Sequence, residues 1–171
     1  MTLEEGITTA IQFERRVHAT YEKAASLAAD PTARRIFEVM AREELSHVAY
    51  LERCLRKWKE AGRLVDDKLE TVIPNKGSIQ AGLRRMQGKV TRKQVEAKPE
   101  LALLHQALLA ENETAGFYRE TVGKLPPEGQ RLFARFIEIE EAHGALVQAE
   151  IDAIEHAGFW CEMREFELES A

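Results

Sequence analysis

Aspartate is scarce in this chain. Of 29 acidic residues only four are Asp (Asp30, Asp66, Asp67 and Asp152), and the rest are Glu. Glu favours helix and Asp does not, so the bias points to an all-α fold. Cysteine is nearly absent as well. Cys54 and Cys161 stand 107 positions apart and form no Cys-x-x-Cys pair, which excludes a zinc ribbon or a rubredoxin-type iron site. Two free thiols are expected rather than a disulfide. Five prolines and ten glycines in 171 residues leave room for long helices. No apolar run approaches the roughly 18 residues that a bilayer demands. The opening MTLEEGITTAIQFERR is acidic and amphipathic, unlike a signal peptide. The expectation is a cytoplasmic protein with no membrane partner. A net charge of −5 gives no electrostatic reason to expect nucleic acid.

What the chain does have is four long helix-period stripes. The first segment, about Thr2 to Ala29, steps through Ile7, Ile11, Glu14, His18, Tyr21 and Ala25. The second, Pro31 to Ala61, steps through Phe37, Met40, Glu44, His47, Leu51 and Cys54. The third, Pro99 to Leu125, carries Leu104, Leu108, Glu111, Ala115 and Tyr118. The fourth, Pro127 to Ala157, carries Phe133, Phe136, Glu140, His143, Val147 and Glu150. Asp30-Pro31 reads as an N-cap followed by a first helical residue, and Gly62 and Gly158 stand where C-terminal caps belong. Helices of this length reach roughly 40 Å, the proportions of a bundle. The first two segments join through a tight turn, as do the last two. Residues 62–98 form a connection too long for a simple loop, which suits a crossover between the ends of a four-helix bundle. A short helix over Ser78 to Val90 fits within it. The basic residues Arg84, Arg85, Lys89, Arg92 and Lys93 in that stretch read as a solvated face. The expected organisation is one domain over 1–158 and a tail over 159–171. The tail is aromatic and acidic, and folds back on the bundle or packs across a dimer.

The two halves of the chain repeat one constellation. Glu14 precedes Tyr21 by seven positions, and Glu111 precedes Tyr118 by seven. His47 follows Glu44 by three, and His143 follows Glu140 by three, each pair seven residues after a phenylalanine (Phe37, Phe133). A lone Glu-x-x-His is a weak motif in a Glu-rich chain, and a lone core histidine is more often structural than a ligand. Two such pairs in matched register are a different matter. All six residues lie on the stripes that face the core, where an uncompensated carboxylate costs several kcal/mol. No Lys or Arg shares those stripes. Two divalent cations would balance four carboxylates. Residues three apart share a helix face, so each Glu-x-x-His pair can serve one ion. Four oxygen ligands and two imidazoles favour iron or manganese, with zinc as a substitute.

At these residues the chain resembles the rubrerythrin and bacterioferritin branch of the ferritin-like superfamily. The stretches FERRVHATY, IFEVMAREELSH, LLAENETAGFY and LFARFIEIEEAH carry the likeness. The resemblance implies a ferritin-like four-helix bundle binding two iron ions through Glu14, Glu44, His47, Glu111, Glu140 and His143. It implies that Tyr21 and Tyr118 donate hydrogen bonds to ligand carboxylates, where simple aromatic packing is the competing reading. Three departures limit the transfer. Thr114 stands where rubrerythrins carry an additional Glu, the four-Cys rubredoxin domain is missing, and Leu45 replaces the haem-binding Met of bacterioferritins. The functional expectation is a di-iron oxidoreductase that reduces peroxide or dioxygen with an external electron donor, as a homodimer. The alternatives are a ferroxidase that handles iron and a non-catalytic bundle stabilised by metal. His18, His105 and His156 lack the motif and are expected outside the site.

Overall fold

The computed structural model describes residues 1–65, 67–87, 99–157 and 160–161. Among these residues the protein is all-α: five helices and no strand. They are α1 (Leu3–Leu27), α2 (Pro31–Ala61), α3 (Lys76–Gln87), α4 (Pro99–Val122) and α5 (Pro127–Ala157). No helix among them is long and apolar enough to cross a membrane.

Local chemistry sets the ends. Thr2 caps α1: its hydroxyl accepts from the Glu5 amide, and the Glu5 carboxylate accepts from the Thr2 amide at 2.8 Å. Asp30 caps α2 through bonds from Thr32 N and Ala33 N, with Pro31 at the first helical position. Gly62 ends α2 at φ 65°, a left-handed conformation that glycine adopts without a Cβ penalty. Asn75 starts α3, its side-chain oxygen accepting from Ser78 N at 3.0 Å. That helix therefore begins two residues before the expected Ser78. The first helix stops at Leu27 rather than Ala29 because Glu100 draws the next amides away. Its Oε1 accepts from Ala29 N at 2.9 Å and Asp30 N at 3.0 Å, tying the α1–α2 turn to the start of α4. Helix α4 stops at Val122, where turn bonds from Lys124 N to Thr121 O and from Leu125 N to Val122 O take over.

Helix α1 packs along α2, α4 along α5, α1 also touches α4, and α3 lies on α5. At Gly129 an added Cβ would come within 2.7 Å of the Leu3 side chain and 3.0 Å of Leu125 Cβ. The buried apolar residues form two clusters. One holds Val17, Tyr21, Phe37, Met40, Leu104, Leu146 and Ile151. The other holds Ile7, Ile11, Leu51, Tyr118, Phe133 and Phe136. Every long helix contributes to both, and in every one the Glu or Glu-x-x-His positions fall where one contribution gives way to the other. The core thus has a polar layer across its middle. Trp160 and Cys161 are buried against the first cluster, with the Trp160 ring edge-on to Phe37 at 6.1 Å. The expected Gly158 cap, Phe159, Phe166 and the basic residues Lys89, Arg92 and Lys93 lie outside the described residues. Arg84 and Arg85 are exposed.

Candidate metal centre

The polar layer consists of the six residues singled out by the repeat. Glu14, Glu44, His47, Glu111 and His143 are fully buried, and Glu140 is 1% exposed. The helix register brings them together: each lies on its helix's inward stripe, and three-residue spacing puts Glu44 beside His47 and Glu140 beside His143. Nδ1 of His47 lies 3.1 Å from Glu14, 3.4 Å from Glu44 and 3.6 Å from Glu140. Nδ1 of His143 lies 2.8 Å from Glu44 and 3.7 Å from Glu111. The two imidazoles stack with centroids 5.2 Å apart and planes 12° from parallel. One ligand atom from each of Glu44, His47, Glu140 and His143 falls within 4.8 Å of the others, a grouping able to hold a metal ion. Glu14 flanks this group on the His47 side and Glu111 on the His143 side.

The two tyrosines reach across between the halves. Tyr21 on α1 donates its hydroxyl proton to Glu111 on α4, and Tyr118 on α4 donates to Glu14 on α1. Burial, reinforced by the neighbouring carboxylates, pushes both phenols well above their ordinary range, so both remain donors.

Electrostatics within the cluster is unbalanced as it stands. Burial raises Glu14 and Glu111 to about 7, against the pull of the adjacent imidazoles. Glu140 is held well above the carboxylate range by burial and then by Glu14, Glu44 and Glu111 around it. Glu44 goes the other way. Burial opposes its ionisation, but His47 and His143 on either side outweigh that and hold it below the usual range. Burial lowers the imidazoles, yet the carboxylates facing them win and raise both. Without a bound cation the cluster can exist only as a partly protonated network.

The donor set fits divalent metal on an independent observation. Both carboxylate oxygens of Glu44 and of Glu140, Glu111 Oε2, His47 Nε2 and both ring nitrogens of His143 are buried without a hydrogen-bond partner. Even the 2.8 Å approach of His143 to Glu44 lacks hydrogen-bond alignment. An unsatisfied buried polar atom costs about 1–3 kcal/mol, more when charged. Eight together would cost about 8–24 kcal/mol, as much as the roughly 5–15 kcal/mol margin of a folded domain or more. Lone pairs that converge without donors are what a cation satisfies.

Thr114 and Leu45 contribute no group to the layer. Thr114 is buried, but its hydroxyl is spent on Ala110 O of its own helix at 2.9 Å. Leu45 points outward, 52% exposed. His18 binds Ala41 O at 2.8 Å, while His105 and His156 are exposed, so none of the three joins the cluster. Three further glutamates are buried: Glu43 and Glu100 carried no recognisable sequence signal, and Glu150 stood on the fourth stripe without a motif. Glu43 accepts from the Thr71 hydroxyl at 2.6 Å and Val72 N at 3.3 Å, which pins the segment after α2 beside the centre. Glu100 anchors the α1–α2 turn, and Glu150 accepts from Cys161 N at 2.8 Å. Each is answered by a backbone or hydroxyl donor from a distant segment, and no spacing rule announces such partners.

Comparison with protein-family models, with curated proteins and with solved structures returns no match to this chain.

Proposed function

We propose that the protein is a ferritin-like four-helix bundle of rubrerythrin type. In this reading α1, α2, α4 and α5 form the bundle, residues 62–98 are the crossover, and the buried cluster holds two iron ions. Manganese suits the same donors, and zinc can substitute. One observation carries the reading: six buried Glu and His side chains from four helices converge, five of them with unpartnered ligand atoms. The order of apolar and polar positions along the helices supports it. The polar layer lies between the same two apolar clusters in each helix, and α2 ends at the cluster opposite to the one where α4 begins. Only a long connection can join those ends.

Each residue then has a role that follows from its position. Glu44 faces both imidazoles and Glu140 faces His47, so with Glu14 beside His47 and Glu111 beside His143 these six side chains would hold the ions. The Tyr21 and Tyr118 hydroxyls fix the orientation of Glu111 and Glu14, which keeps the metal-facing lone pairs aimed inward. The apolar layers on either side exclude bulk water. When bound, the ferrous pair supplies the two electrons that, with two protons, reduce hydrogen peroxide to two waters. An external donor restores them.

Metal analysis of the purified protein, its size in solution and stopped-flow oxidation of the ferrous form test this proposal. Two irons per chain in a dimer, oxidised faster by hydrogen peroxide than by dioxygen at equal concentration, is the expected result. Glu111→Ala should suppress the reaction. Faster oxidation by dioxygen with uptake of many Fe(II) per chain would replace this reading with a ferroxidase. Protein that binds no redox-active metal would leave only a structural bundle.

A further inference from the structure

Around the polar layer, helix closes on helix at three seams: α1 on α2, α1 on α4 and α4 on α5. Helices α2 and α5, which carry the two Glu-x-x-His pairs, lack that close backbone packing. A non-helical segment, residues 67–73, fills the seam between them. Its side chains alternate. Leu69 is 5% and Ile73 3% exposed, with Thr71 half-buried between them, while Lys68, Glu70 and Val72 are exposed. Leu69 belongs to the second apolar cluster and Ile73 to the first, so the segment crosses the level of the polar layer at Thr71.

Side chains strap this segment to both helices. From α2, Glu43 accepts from the Thr71 hydroxyl at 2.6 Å and from Val72 N at 3.3 Å, Tyr50 donates to Asp67 O at 2.9 Å, and Arg53 pairs with the Asp67 carboxylate at 2.9 Å. From α5, Arg135 donates to Leu69 O at 3.3 Å. Among the described residues no backbone–backbone bond holds the strap. A segment fastened this way can open locally while the helices beneath it stay folded. Its anchors border the candidate metal centre. Glu43 immediately precedes Glu44. The Tyr50 and Phe136 rings lie 6.4 Å apart, and Phe136 lies 5.6 Å from His47. Beside the strap a hollow of about 380 Å³ reaches from Thr71 and Ile73 to Ile139 and Ala142, on either side of Glu140 in α5.

We infer that residues 67–73 are the gate through which divalent metal enters and leaves the buried cluster, an inference that rests on the metal-centre reading. A cation cannot cross the apolar clusters above and below the layer without a large desolvation cost. Three seams are closed by helix packing. On the fourth, polar groups lead inward: Thr71 at the surface, then Glu43, then the neighbouring Glu44. Lifting the strap opens the α2–α5 seam at the level of the ligands. It also frees both Glu43 oxygens from Thr71 and Val72, which gives an incoming cation a carboxylate at the mouth of the route. One side chain thus latches the closed strap and meets the ion when the strap is open.

The test is stopped-flow absorbance of Co(II) uptake by metal-free full-length protein, and of Co(II) release to a chelator. Thr71→Val keeps the shape of the side chain and removes the latch hydroxyl, and Tyr50→Phe removes the bond to Asp67 O. Each should raise the uptake and release rates by the same factor, about fivefold for one lost hydrogen bond. Affinity should stay unchanged, because a gate alters passage equally in both directions. Glu100→Ala, which loosens the α1–α2 turn and has no bond to the strap, should leave both rates as in wild type. Rates unchanged in both strap variants, equal acceleration by Glu100→Ala, or altered affinity without faster uptake would overturn the gate. Protein that binds no Co(II) would overturn the metal-centre reading and the gate together, whereas binding at rates indifferent to the strap overturns the gate alone.

Discussion

Removing metal should make this protein sensitive to pH in a direction opposite to ordinary acid denaturation. In the metal-free cluster Glu14 and Glu111 titrate at about 7, whereas the same groups in an unfolded chain titrate near 4.5. Glu140, His47 and His143 are also raised. Between pH 5 and 8 the folded state therefore binds more protons than the unfolded one, and linkage makes stability fall as pH rises. At pH 7 Glu14 and Glu111 each hold about half a proton that the unfolded chain has lost. These two alone account for about one proton, or about 1.4 kcal/mol per pH unit, and Glu140, His47 and His143 add to the same slope. For a domain of this size that is roughly 3–5 °C of unfolding midpoint per unit. Only Glu44 opposes the trend, and its depressed titration acts below pH 4.5, outside the window. Bound cations reverse the sign, because they displace those protons. Manganese affinity should rise steeply from pH 6 to 8, and the loaded protein should not lose stability over that range. Scanning calorimetry of chelated and manganese-loaded protein at pH 5.5, 6.5 and 7.5 measures both slopes. Glu14→Gln with Glu111→Gln should flatten the metal-free slope. A metal-free midpoint that stays level or climbs between pH 6 and 8 would refute the reasoning, since it would show that the cluster does not hold these protons.

Substituting His47 or His143 with Ala should weaken manganese binding at least tenfold, a floor set by the roughly 10–100-fold losses typical of groups that merely orient ligands. The same change at His105 or His156 should leave it unaltered, and equal losses at all four would disprove the ligand assignment. Glu100→Ala should lower the unfolding free energy by about 1–3 kcal/mol, because it strands the amides of Ala29 and Asp30. Glu100→Gln keeps an acceptor oxygen and should recover most of that loss in a urea titration.

The helices and the polar layer were legible in the sequence because both follow from periodicity. Helices α2 and α5 begin and end at the expected Pro31, Ala61, Pro127 and Ala157. Proline at the first turn and a break after the last fix those ends locally. The ends of α1 and α4 were less legible. The stripe of α1 continues to Ala29, but the helix stops at Leu27 where a carboxylate from α4, far away in sequence, takes the following amides. The same reason hid Glu43, whose partners Thr71 and Val72 sit in a segment with no periodicity.

The repeat itself implies more than a doubled ligand set. Glu and Tyr seven residues apart are two turns apart on one face. If α1 and α4 ran parallel, Glu would face Glu and Tyr would face Tyr. They run antiparallel, so Tyr21 meets Glu111 and Tyr118 meets Glu14. Each half therefore supplies the donor that orients the other half's carboxylate, and Glu44 of the first half is the closest carboxylate to His143 of the second. Neither half alone contains a Glu whose tyrosine partner is present. A chain cut within 62–98 would have to reassociate before Glu14 and Glu111 regained those bonds. The duplication thus binds the halves into one cooperative site, and the site's chemistry is a property of the α1–α4 contact as much as of the two Glu-x-x-His helices.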